Sequence, residues 1–142
     1  MTLRKSPDDP AEHSQWIKTG LELYNGTPRL STVTCDRWAD WSIAPVPDYG
    51  ADAVATQQTV SVSVEKEVDA AGRPVSFWVY YLAADGSKLP MREICWVYGA
   101  GEAAGDLHLS VGAFVARPES KKTESGLDVS FSDLQVEWST TA

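Results

Sequence analysis

Cysteine, histidine, cationic residues and long apolar runs are all scarce in this chain, and each scarcity removes a class of function. The two cysteines, Cys35 and Cys95, form neither a disulfide framework nor a metal-ligand spacing, and both read as buried free thiols. His13 and His108 are the only histidines; they stand far apart with no nucleophile motif beside either, and no metal-ligand cluster or cofactor motif accompanies them. No window reaches the length of a membrane span, and the opening MTLRKSPDDP has no apolar signal core, so a cytoplasmic chain is the expectation. Twelve Lys and Arg against 20 Asp and Glu leave a net charge of −8. That balance argues against nucleic acid and against an anionic membrane surface, because both need clustered cations. The one basic pair, Lys121-Lys122, lies in a polar, loop-like stretch.

Helical periodicity is also missing. Short alternating runs bounded by Gly, Pro, Asn or Asp recur in its place, the mark of strands joined by turns. The first run spans 16–24 and ends at Asn25-Gly26, a two-residue hairpin signal, with 29–36 as its return strand. The same Asn begins a formal glycosylation sequon, Asn-Gly-Thr, but the turn reading prevails because no secretion signal precedes it. Further strands are expected over 37–47, 59–68, 75–84, 88–98, 107–116 and 127–138, with loops at 48–58 and 99–106. The glycines of GAGEAAG (99–105) precede a strand pattern where a dinucleotide site requires a helix, so they form a loop. Seven or eight strands in 142 residues predict an all-β sandwich in one domain, 1–142, with a stub and loop over 1–15 and the sandwich over 16–138. Ile17, Leu21 and Leu23 are assigned to its core, as are Val60, Val62 and Val64.

Six tryptophans are the unusual feature of the composition. Alternation puts Trp16, Lys18, Glu22 and Tyr24 on one face of the first strand, Trp78 and Tyr80 on one face of another, and Arg92, Ile94, Trp96 and Tyr98 on one face of a third. The plain reading is a sheet face covered by aromatics and solubilised by ion pairs, and it stands first because register is not legible in one sequence. The functional reading aligns those faces into one site made of Trp16, Lys18, Glu22, Trp78, Arg92 and Trp96. The rings would supply stacking area, Lys18 and Arg92 donors, and Glu22 an acceptor, as a sugar or small polar ligand requires. Glu65 and Glu67 share a face at roughly 6–7 Å, a spacing compatible with a glycosidase pair, but a solvated strand end is the expected setting. No catalytic residues are assigned.

The blocks WIKTGLELYNGTPRLSTVTCDRWADWSIAP, FWVYYL, MREICWVYG, VGAFVARPES and LDVSFSDLQVEW occur in that order. With them the chain resembles the concanavalin A-like domain family of unknown function that includes the fungal regulation-of-enolase protein. The resemblance implies a jelly-roll sandwich of two antiparallel sheets, here apparently without the family's N-terminal strands, and hence exposed edges and self-association. It implies a non-catalytic, lectin-like binding or regulatory protein for a glycan or small molecule. A protein-interaction regulator of metabolism, acting through a protein partner, and an enzyme acting on a glycan or secondary metabolite stand as alternatives.

Overall fold

A computed structural model describes residues 15–47, 59–98, 109–116 and 128–138. The expected loops at 48–58 and 99–106, the stub before Gln15, both histidines and Lys121-Lys122 lie outside the described residues. Within them the chain is all-β: β1 (Trp16–Tyr24), β2 (Thr27–Cys35) and β3 (Ala39–Pro45) form one antiparallel sheet, A. Strands β4 (Ser61–Val68), β5 (Pro74–Leu82) and β6 (Lys88–Ile94) form a second, B. The Asn25-Gly26 turn has positive φ at both residues, 49° and 76°, as a type I′ hairpin requires. Its tight geometry fixes the β1–β2 register from Tyr24↔Thr27 through Trp16↔Cys35.

The two sheets pack face to face. Ile17 from sheet A meets Phe77, Val79 and Ile94 from sheet B, while Leu30 and Val46 meet Tyr81. Val62 and Val64 share the inward row of β4, and Val60 packs beside Tyr81, as the alternation predicts. Between the apolar clusters runs a polar seam. Thr19, Thr32 and Thr34 face inward and are buried, with Thr19 Oγ1 3.0 Å from Thr32 Oγ1. Arg92, opposite the fully buried Val79, reaches across this seam from β6 to donate to Ser42 Oγ (3.3 Å) and to the Asp40 carboxylate on β3.

Four expectations are corrected. Leu21 and Leu23 sit on the core-facing row but are 42% and 66% exposed: they lie on the outermost described strand of sheet A, while their partners Leu30 and Pro28 on β2 are buried. The run 88–98 stops pairing at Ile94 and closes as a 3₁₀ turn, Trp96–Tyr98. Residues 109–116 and 128–138 make no ladder among the described residues, so six strands are described where seven or eight are expected. Both cysteines are free, as expected, but Cys35 is half-buried and Cys95 exposed.

The Arg92 contact is asymmetric: the Arg92 side chain is 20% exposed and that of Asp40 68%. Deleting Asp40 strands a mostly buried guanidinium, whereas deleting Arg92 leaves a carboxylate in water. Asp40→Ala is therefore expected to cost about 1–3 kcal/mol and Arg92→Met less than about 1 kcal/mol in denaturant unfolding. The reverse order would exclude Arg92–Asp40 as the inter-sheet tie.

Candidate functional site

The six residues singled out by alternation fall in three places. Trp16, Lys18 and Glu22 share the outer face of sheet A. Trp78 lies on the outer face of sheet B, in register with Glu65. Arg92 points between the sheets, and Trp96 joins it in a cleft of about 130 Å³ lined also by Thr34, Asp36, Trp38 and Asp40. The single aromatic face expected from the sequence is thus not assembled. Arg92 pairs with Val79 on the inward row, one rung from Trp78 on the outward row, and the chain leaves the sheet before Trp96.

In the cleft the charged groups Arg92, Asp40 and Asp36 already have partners. Arg92 is held by Asp40 and Ser42, and Gln15 Nε2 donates to Asp36. On sheet B, Trp78 and Tyr80 stack with centroids 6.0 Å apart, and Lys88 lies over Tyr80 while pairing with Glu65 at 2.6 Å. Ser63 Oγ also donates to Glu65 (2.7 Å). Desolvation, then the neighbouring Glu93 and Glu67 carboxylates, raises the Cys95 thiol above its ordinary value, the opposite of the shift that activates a thiolate.

The outer face of sheet A is organised differently. Register gives three successive rungs: Lys18–Val33–Trp41, Gly20–Ser31–Ile43 and Glu22–Arg29–Pro45. The middle rung has no side chain on β1, and a Cβ built at Gly20 would meet nothing within 4 Å, so a trough opens there. Its floor is Ser31, only 5% exposed although it faces outward. Trp41 Nε1 donates to Ser31 Oγ (3.0 Å), and Ser31 Oγ donates to Glu22 Oε2 (2.7 Å). One hydroxyl thereby fixes an indole from β3 and a carboxylate from β1.

Tyr24 completes the group, its ring edge-on to Trp41 with centroids 5.4 Å apart. Their rungs are six residues apart along the sheet, roughly 20 Å if it were flat, with two interstrand steps of about 4.8 Å besides. Two side chains do not span that distance together. The sheet must therefore twist and curl so that these two positions approach each other on this face. Gly20, at φ 148°, sits at the middle of the bend, where a side chain is disfavoured. At the other end Lys18 Nζ lies 5.9 Å from the Trp16 ring and 5.8 Å from Phe114, which brings the 109–116 segment against the face.

The alternation thus found Trp16, Lys18, Glu22 and Tyr24, and missed Ser31, Arg29 and Trp41. Trp41 stands in the sequence as the second indole of a Trp-x-x-Trp-Ser block, but its face depends on a β2–β3 register that no turn signal fixes.

On sheet B, Lys88 and then Ser63 hold the Glu65 carboxyl below its ordinary value of 4.5. A depressed carboxyl contributes stability that is present above its unfolded value and lost as pH falls through the folded one. The pair is largely exposed, so its contribution is under about 1 kcal/mol. Melting temperatures across pH are expected to show Glu65→Gln less stable than the parent at neutral pH, with the gap closing below pH 4.5.

Comparison with known proteins adds kinship. The DUF1349 family, described as proteins of unknown function, matches residues 10–139. A curated relative, the uncharacterized protein AN7484 of Emericella nidulans, is 39% identical over 123 residues. That alignment covers 87% of this chain and 52% of the relative, so the chain spans about half the length of the curated relative it matches. No solved structure matches the chain. With both trough residues, Glu22 and Trp41, inside a match that runs over nearly the whole chain, this protein belongs to the DUF1349 family.

Proposed function

We propose that the chain is a non-catalytic, lectin-like binding protein that holds a carbohydrate or comparable polar small molecule in the trough of sheet A. The observation that carries the reading is the relay from Trp41 through Ser31 to Glu22. A sugar presents an apolar ring face and a rim of hydroxyls, and its receptor needs a flat ring and directional acceptors held in fixed relation. Trp41 and Tyr24 remain 48% and 39% exposed, so aromatic surface is still available to a ligand. The Ser31 hydroxyl meanwhile fixes the Glu22 carboxylate beside the trough before anything binds, which lowers the ordering cost of binding. The resemblance to concanavalin A-like domains points the same way, and a cytoplasmic setting belongs to the same proposal.

Glycan-array screening followed by calorimetry tests this. Trp41→Ala is expected to abolish binding, and Glu22→Gln to weaken it by about tenfold while leaving the fold intact by circular dichroism. No ligand among glycans and polar metabolites at millimolar levels would overturn the reading.

A second reading, a protein-interaction regulator, rests on one observation. Val129, Phe131, Leu134, Val136 and Trp138 stand 45–68% exposed along 128–138, with Asp133 at φ 54° dividing the alternating row. Unpaired extended chain with an apolar row favours association. Sedimentation velocity is expected to show concentration-dependent self-association that Phe131→Ser with Trp138→Ser removes; a monomer at every concentration would count against it.

A further inference from the structure

Resting on the carbohydrate reading, the charges of the trough narrow the class of ligand. Lys18 and Arg29 lie on this face, both half-buried, and among the described residues neither has a carboxylate partner. Elsewhere in the sheets and turns Arg73, Lys88 and Arg92 each hold one. Glu22 stands in register opposite Arg29, yet its carboxylate accepts from Ser31. Lys18 rests against two aromatic rings, which orient its ammonium without neutralising it. Partly desolvating a cation with no counter-charge is unfavourable, and an anionic ligand relieves it.

The local balance agrees. Two cations and one carboxylate, Glu22, face outward across the three rungs, giving +1 on a chain whose net charge is −8. The two cations stand on rungs four residues apart, at most about 14 Å along β1, with the Gly20 gap between them. That separation exceeds a single sugar ring and suits a short chain of them.

We infer that the trough takes an acidic oligosaccharide, its carboxylates paired with Lys18 and Arg29 and its ring faces against Trp41 and Tyr24. The test uses the full chain and a panel of oligouronates of galacturonic, glucuronic and mannuronic type. Each is compared by calorimetry with the same oligosaccharide after its carboxyls have been reduced to primary alcohols. At least one acid is expected to bind about tenfold or more tightly than its reduced counterpart, with affinity falling as salt rises. Lys18→Met and Arg29→Gln, each checked for an unchanged melting temperature, are expected to erase that advantage by weakening the acid about tenfold and its reduced counterpart far less. Equal affinity for acid and reduced forms, both lost in Trp41→Ala, would overturn the acidic assignment and leave the carbohydrate reading standing. Binding of no acid and no neutral glycan would overturn both.

Discussion

The Ser31 hydroxyl is where the three strands of sheet A are tied together on their outer side. It accepts from an indole on β3 and donates to a carboxylate on β1, while its own backbone sits in the central strand. A hydroxyl has one proton and two lone pairs, so these two bonds use its donor and half its acceptors with no rearrangement. Its near-complete burial makes both bonds count, because water competes poorly for them. Removing this one atom would release Trp41 and Glu22 together, although neither touches the other.

That tie has a geometric precondition. Glu22 and Trp41 lie on rungs either side of Ser31, and Gly20 puts no side chain on the rung between them to block their approach to it. The curl that brings Tyr24 to Trp41 is centred on the same Gly20 position. Leu21 and Leu23 keep their inward alternation but lack cover at the outer strand, while Leu30 and Pro28 beside them are buried. Farther along, Arg92 crosses from sheet B to Ser42 and Asp40, while the Thr19–Thr32 contact ties β1 to β2 within sheet A.

What the sequence made legible follows this division between local and long-range order. The β1–β2 hairpin could be read outright, because Asn25-Gly26 fixes the turn and the turn fixes the register. The outward set on β1 therefore came out correctly. Arg92 was misplaced for the opposite reason: Met91 is unmatched in the β5–β6 ladder, and the charge of Arg92 suggests a wet face while its register with Val79 turns it inward. Trp96 was lost because nothing in the alternation marks the step from strand to 3₁₀ turn after Cys95. Ser31 gave no signal at all, since a serine in a strand is ordinary until its neighbours in space are known.

Overall acidity and a face that favours anions are compatible on scale. Charges separated by more than about 8–10 Å at physiological salt are largely screened, so a ligand in the trough senses Lys18, Arg29 and Glu22 far more than the distant carboxylates. The remaining negative charge still acts at longer range, where it slows the approach of highly charged polyanions such as nucleic acid. A short, sparsely charged chain with apolar ring faces meets little of that barrier. On the proposed reading it gains the ring contacts and the net positive charge of the trough once inside. The discrimination between nucleic acid and a small acidic saccharide then lies, on the same reading, in charge density rather than sign.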